Sequence, residues 1–284
     1  MRNVELSIII PTLNRTIELR ALLQSIEKYV LNIEYEVIII DQNSSGFLYD
    51  IVKEFNEKLN LKHHIVAFKG LSKAKNYGAT IAQGDFLSFP DDDCKILLDT
   101  YAKAIDTINY ENVDIVFGRC VDAEGEDSVL RFKKSSYLLD KNNMLGGFVE
   151  ATGIINKRVF EQGFFFDENM GAGCFHGAEE GYDWLYRILT ASSIKAFYST
   201  EVLFYHPQVL LDKGSSQALR RVFTYSCGTA YLCKKHKFYF RFIKRLTLVM
   251  LSMPIYLIVN RKKARYYFVE FLGLFIGLTL AVEE

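Results

Sequence analysis

Three consecutive aspartates, Asp91, Asp92 and Asp93, follow Pro90 at the end of an apolar run, residues 85–89 (DFLSF). Adjacent carboxylates repel one another unless a cation or a strong donor set neutralises them. Oxygen ligands suit Mg²⁺ or Mn²⁺, which keep some waters and bind substrate phosphates as well, so a metal held here would bridge a diphosphate and stabilise it as it leaves. A solvated acidic turn is the plainer alternative. Asp41 closes another apolar run, residues 36–40, where a carboxylate accepts hydrogen bonds from a base or ribose, or else serves a cap or turn. Residues 69–76 (KGLSKAKN) place Lys69, Lys73 and Lys75 near a helix start, where N–H groups and cations favour phosphates or nucleobase carbonyls. The alternative is a lysine-bearing surface helix. Glu179, Glu180 and Asp183 open a helix behind glycines 171, 173 and 177, which suggest a mobile loop. One of these acids would act as general base toward a hydroxyl, or all three answer the helix dipole. His206, in FYHP, is a metal ligand or a satisfied histidine; His63, His64, His176 and His236 show no constellation. Neither G-x-S-x-G nor a Walker-type loop is present, so hydrolase and P-loop readings lack support.

These residues need elements to bring them together. Residues 4–10 (VELSIII), 36–40 (EVIII), 64–68, 85–89 and 114–117 read as strands, the first stopped by Pro11. Leu19, Leu22, Leu23, Ile26 and Val30 recur at helical spacing, as do Leu48, Ile51, Val52, Phe55 and Leu59. A helix over 72–82 would take Ser72 as its cap. Strands alternating with helices predict right-handed βαβ units and a mainly parallel sheet, with ligands bound beyond the carboxyl ends of the strands. Residues 12–15 (Thr12, Asn14 and Arg15 among them), 41–44 and 91–93 each follow a strand directly. Polar groups from three strand ends would therefore meet in one crevice.

The segments SIIIPTLNR, IIIDQNS, KGLSKAKNYG, GDFLSFPDDD and FDENMGAG…GAEEGYDWLYRIL resemble, in order, the motifs of family 2 glycosyltransferases with a GT-A fold, over about residues 4–206. The resemblance implies a Rossmann-like, mixed, mainly parallel sheet flanked by helices, and an inverting transfer of sugar from a nucleotide-sugar, usually UDP-linked. It places Pro11, Thr12 and Asp41 on the nucleotide, Lys73, Lys75 and Asn76 near base and phosphates, and Asp91 and Asp93 on ribose and the divalent metal. The neighbouring Asn14, Arg15 and Asp92 fall with the nucleotide-binding set, and His206 with the metal ligands. The family's base lies in a Glu-Asp pair before an Arg on a helix. Counting back from Arg187 puts Glu180 on the Glu and Gly181 on the acid; taking Glu179-Glu180 as the pair also makes Glu180 the base, with Glu179 and Asp183 as the other candidates.

The 284 residues are 50% apolar and 24% charged, enough for one large domain with an appendage. The zero net charge hides an asymmetry: from Lys213 onward stand 13 Lys+Arg against 3 Asp+Glu, leaving 21 against 31 before it. We therefore expect a catalytic domain over 1–212 and a basic, apolar helical region over 213–284. Uncharged runs at 246–259 and 271–282, each shorter than a bilayer span, sit beside basic clusters, which reads as an interfacial anchor on an anionic leaflet. Packing on the catalytic domain or homo-oligomerisation is the alternative; nucleic acid leaves the apolar content without a purpose. Five cysteines without C-x-x-C indicate free thiols in a reducing compartment. With no signal-like segment at the N-terminus, the expectation is a cytoplasmic enzyme, peripheral on the cytosolic face of the bacterial inner membrane, extending a glycan or glycolipid acceptor. A nucleotidyltransferase, or an inactive membrane-associated scaffold of the same fold, are the competing readings.

Overall fold

In the computed structural model, which describes residues 4–208 and 213–279, the first strand, β1 (Leu6–Thr12), is buried along its whole length. A strand buried from end to end in this way belongs to a parallel sheet covered on both faces. It pairs in parallel with β2 (Tyr35–Asp41), which pairs in parallel with β3 (Leu61–Ile65). The connecting helices are α1 (Ile17–Tyr29), which buries Leu19, Leu22, Leu23 and Ile26, and α2 (Tyr49–Phe55), which buries Ile51 and Phe55. Then follow α3 (Leu71–Ile81), β4 (Phe86–Ser88), β5 (Lys95–Ile96), α4 (Thr100–Glu111), β6 (Ile115–Val121), β7 (Tyr137–Leu139), a 3-10 turn (Glu150–Thr152), β8 (Gly153–Asn156) and α5 (Arg158–Glu161). The chain continues through α6 (Glu180–Ala191), β9 (Ala196–Tyr205), α7 (Ser216–Lys235), α8 (Tyr239–Val259) and α9 (Arg261–Thr279).

The sheet order is β3-β2-β1-β4-β8-β6-β9-β5, with β7 on β9. The long pairings are parallel, β1 with β2 and β6 with β9, whereas β8 runs antiparallel to both neighbours. This is the mixed sheet flanked by helices that the family resemblance implies, and its β3-β2-β1-β4 part is the parallel sheet that the alternation predicts. Three local expectations shift. Pro11 does not stop the first strand: β1 runs through it to Thr12, with Pro11 opposite Ile40. The third strand lies at Leu61–Ile65 rather than 64–68, because its partner β2 ends at Asp41, opposite Ile65. Ser72 lies inside α3 and does not cap it: its hydroxyl donates to the Met170 carbonyl at 2.7 Å, while the Leu71 amide donates to Ala172.

The described residues form two compact units: 4–69, 74–165 and 184–208, with the whole sheet, and 70–73, 166–183 and 213–279. Residues 209–212, around the expected boundary, lie outside the described residues, as do 280–282 of the second apolar run. In the second unit α7 is capped by Ser215, whose hydroxyl accepts from the Ala218 amide at 3.1 Å. Helix α9 lies close on α7 through Gly273 and Gly277, spaced G-x-x-x-G. A Cβ at Gly273 would stand 2.5 Å from the Phe223 carbonyl oxygen, and one at Gly277 would stand 2.6 Å from Cys227 Cα.

Helix α8 corrects the length expected of the first apolar run. The helix starts at Tyr239, seven residues before the uncharged stretch, since Arg241, Lys244 and Arg245 do not interrupt it. Its 21 residues span about 31 Å, and an 18-residue stretch has mean hydropathy 1.7, so it is long and apolar enough to cross a bilayer. Only 6% of that stretch is buried within the protein.

The glycine-rich segment 170–177 is pinned within this unit. Gly171 has φ +100, a conformation that favours glycine. Its amide donates to the His176 carbonyl at 2.8 Å, the Gly177 amide to Thr224 at 2.9 Å, and the His176 ring stacks on Tyr231 at 4.3 Å.

Candidate active site

The ends of β1 and β2 are in register, Thr12 opposite Asp41. From that edge the Thr12 hydroxyl donates to Asp92 Oδ2 at 2.7 Å. Arg15, on the loop after β1, reaches Asp92 Oδ1 at 3.1 Å and also pairs with Asp93. The Asn14 amide donates to Asn43 Oδ1 at 2.6 Å, with Asn14 at φ 60. Asn43 in turn donates its amide and side chain to Asp41 Oδ1, at 2.8 and 2.7 Å. The Lys69 ammonium donates to the Gln42 carbonyl. The strand ends therefore do converge, as the order of segments implies.

Asp91, Asp93, Cys94 and His206 bring ligand atoms within 4.8 Å of one another. His206 is positioned by β9, its amide donating to the Val121 carbonyl at 2.9 Å. Its Nδ1 lies 2.7 Å from the Pro207 carbonyl, so that nitrogen donates there, and Nε2 faces Asp93 Oδ1 at 3.6 Å. Burial pushes the Asp91 carboxyl above the ordinary value; Lys75 opposes this, while Glu150 and Asp93 add to it. Burial likewise pushes Asp92 up to about 6, against the pull of Arg15 and Thr12. Carboxylates this crowded and enclosed hold their charge best beside a cation. Two carboxylates and an imidazole nitrogen fit a hard divalent ion such as Mn²⁺ or Mg²⁺. The Cys94 thiol is the poorer match, because soft sulfur suits softer ions than Mg²⁺ or Mn²⁺; burial raises it well above its ordinary value.

Lys75 is fully buried, its Nζ 3.2 Å from Glu150 Oε1. Asn76 beside it is buried, whereas Lys73 is exposed. Sequence reasoning missed Glu150, which sits on the 3-10 turn before β8, and Asn43. It also passed over His63, whose Nε2 lies 2.9 Å from Asp41 Oδ2. On β3, His63 stands opposite Ile39, which shares a face with Asp41, so the pairing emerges only once the register is known.

The three candidate acids at 179–183 have different surroundings. Glu179, at φ 73, accepts from Arg241 Nη2 at 3.0 and 3.1 Å and from the Thr229 hydroxyl at 3.1 Å. Asp183 is fully buried, with Lys235 Nζ at 3.0 Å and His236 Nε2 at 2.7 Å. His236 is thus engaged where the sequence showed no partner. Glu180, the first residue of α6, is 7% exposed, and a Cβ on Gly171 would stand 3.1 Å from its Cδ. Arg187 is occupied structurally, donating to the Phe165 carbonyl at 2.5 Å.

The Glycosyl transferase family 2 model matches residues 7–167. The chain belongs to this family. Among curated members it is 28% identical over 180 residues to GalNAc(5)-diNAcBac-PP-undecaprenol beta-1,3-glucosyltransferase of Campylobacter jejuni, covering 59% of this chain and 56% of that one. It is 30% identical over 116 residues to poly(ribitol-phosphate) beta-N-acetylglucosaminyltransferase TarS of Staphylococcus aureus, covering 40% of this chain and 20% of that one. The family 2 chain thus spans little more than half the length of the first relative and a fifth of the second. Two solved structures share the fold. Staphylococcus aureus TarS 1-349 in complex with UDP-GlcNAc has a TM-score of 0.61 at 21% identity, over 74% of this chain and 60% of that one. The mannosyltransferase PcManGT of Pyrobaculum calidifontis, in complex with GDP-Man and Mn²⁺, has a TM-score of 0.57 at 16% identity, over 98% and 74%. The family 2 assignment sets the chain among glycosyltransferases rather than nucleotidyltransferases, with the expected GT-A architecture.

Proposed function

We propose that this chain transfers a sugar from a nucleoside-diphosphate sugar, UDP-linked, to a hydroxyl of a lipid-linked glycan, with inversion at the anomeric carbon. The observation that carries the reading is the cluster of Asp91, Asp93 and His206 beside the Thr12–Asp92–Arg15 contacts at the ends of parallel strands. Asp91, Asp93 and His206 would hold Mn²⁺ or Mg²⁺, which supplies positive charge against the departing diphosphate. Thr12, Asn14, Arg15, Asp41, Lys75, Asn76 and Asp92, with Pro11 shaping the turn and Lys73 on the exposed face of α3, would contact the nucleotide.

Glu180 is the general base of this reading. Its support is its place in the chain: Glu180 opens α6, and counting back from Arg187 puts it on the Glu of the family's motif. The Glu180 carboxylate takes the proton of the acceptor hydroxyl as its oxygen bonds to the anomeric carbon, and the bond to the diphosphate breaks on the opposite face. A lipid-linked acceptor is supported by the name of the Campylobacter jejuni relative and by the exposed apolar side chains of α8, Phe240, Leu251 and Ile258 among them. Basic residues at both ends of α8 favour an anionic leaflet, which supports a location on the cytosolic face of the bacterial membrane in this reading. The division into a catalytic region up to 212 and a membrane-associating region from 213 belongs to the same proposal.

Incubation with a panel of UDP- and GDP-sugars and Mn²⁺, followed by slow release of the nucleoside diphosphate, tests the donor assignment. Turnover of a UDP-sugar is expected; release from GDP-sugars alone overturns the UDP assignment, and release from none overturns the transfer reading.

A further inference from the structure

The helical unit contains a cavity of about 620 Å³ that no step of the proposed chemistry uses. It lies among α7, α8 and α9, and four of its lining residues are cations: Arg221, Arg241, Lys244 and Arg245. Two glutamates, Glu179 and Glu270, also line it, and each is already matched. Arg245 Nε donates to Glu270 Oε1 at 2.6 Å, and Arg241 holds both oxygens of Glu179. Among the described residues, no carboxylate comes within salt-bridge distance of Arg221 or Lys244, and the buried Arg241 Nη1 has no acceptor. The cavity therefore carries two positive charges beyond its own acids and an unsatisfied donor, in a volume typical of a small-molecule site. Leu248 lines the same cavity and is 50% exposed, on the helix whose Leu251 and Ile255 also face outward.

We propose that this cavity binds the diphosphate head of the lipid-linked acceptor, with the lipid's apolar chain leaving along Leu248 onto the outer side of α8. The assignment rests on the lipid-acceptor reading above. Guanidinium and ammonium N–H groups donate charge-assisted hydrogen bonds to phosphate oxygens, and an apolar exit distinguishes a lipid diphosphate from a soluble one. Glu179, one residue from Glu180, anchors Arg241 in the cavity wall and so ties the head-group site in sequence to the proposed base.

The test uses the full chain and vesicles of phosphatidylcholine containing either a polyprenyl diphosphate or phosphatidylglycerol at equal charge. Wild type is expected to bind the diphosphate vesicles roughly tenfold or more tightly than the phosphatidylglycerol vesicles. The double variant R221Q/K244Q, both sites exposed, is expected to lose that preference, and R221K/K244R to recover it. Equal binding to both vesicle types, or an unchanged preference in R221Q/K244Q, overturns the proposal. Displacement by inorganic pyrophosphate at concentrations matching the lipid diphosphate points instead to a soluble ligand and overturns the lipid assignment. Hydrolysis of the sugar donor, measured without acceptor, is expected to be unchanged in R221Q/K244Q. Loss of hydrolysis in wild type would sink the transfer reading and leave the vesicle result to decide the cavity by itself.

Discussion

Arg241 donates from a single nitrogen, Nη2, to both carboxylate oxygens of Glu179, at 3.0 and 3.1 Å, and its guanidinium also lies over the Tyr182 ring at 4.6 Å. This ion pair ties Glu179 to the helical unit, and Glu179 takes its place there with a left-handed backbone, φ 73. Glu180→Gln is expected to lower transfer by about 10²-fold or more, as for a lost general base, with the thermal midpoint preserved. Glu179→Gln should act chiefly on stability. A steady-state comparison of the two variants decides, and the opposite ranking would move the base to Glu179.

Asp93→Ala is expected to abolish transfer while the circular dichroism spectrum stays native, since Asp93 meets Arg15 and His206 at the rim of the sheet and is not part of the core. His206→Ala should weaken Mn²⁺ binding by about 10-fold or more, read by titration calorimetry. Near-normal turnover of Asp93→Ala with metal dependence retained would remove these residues from the metal site.

Lys75 is fully buried between Glu150 and the electrostatic reach of Asp91. Lys75→Met leaves those acids without their cation and is expected to destabilise the fold by about 3 kcal/mol in denaturant titration. An unchanged midpoint would mean that solvent reaches the acids.

Glu36 sits inside β2, fully buried, and accepts from the Ser7 hydroxyl at 2.6 Å, the Gln83 amide at 2.7 Å and Lys62 at 2.5 Å. Burial opposes its charge, but these donors outweigh burial and hold its carboxyl below the ordinary 4.5. A folded-state value below the unfolded one adds stability above pH 4.5 that is lost as pH falls through the lowered value. Glu36→Gln should therefore flatten the acid limb of the stability curve, measured by urea unfolding between about pH 3 and 7.

Leu251, Ile255 and Ile258 are 61%, 59% and 90% exposed on α8. Replacing all three with aspartate is expected to release the chain from anionic vesicles without lowering its thermal midpoint. Retained co-sedimentation would place the membrane contact elsewhere.

The apolar runs at Leu6–Thr12 and Tyr35–Asp41 and the helical spacing of Leu19, Leu22, Leu23 and Ile26 determined the parallel half of the sheet, because buried strands and amphipathic helices leave local, periodic marks. Being local, the same marks put Thr12, Asp41 and the aspartate triplet at strand ends before any coordinates were needed. Partners from distant segments left no such mark. Glu150 with Lys75, His63 with Asp41, and His236 with Asp183 depend on register and long-range packing, which single-residue types do not encode. Tertiary structure alone showed that Glu179 pairs with Arg241 and Asp183 with Lys235, because ion pairing is a matter of through-space distance. It also decided that the basic tail is three packed helices enclosing a cationic cavity: close approach at Gly273 and Gly277 brings together charges that are far apart in the chain.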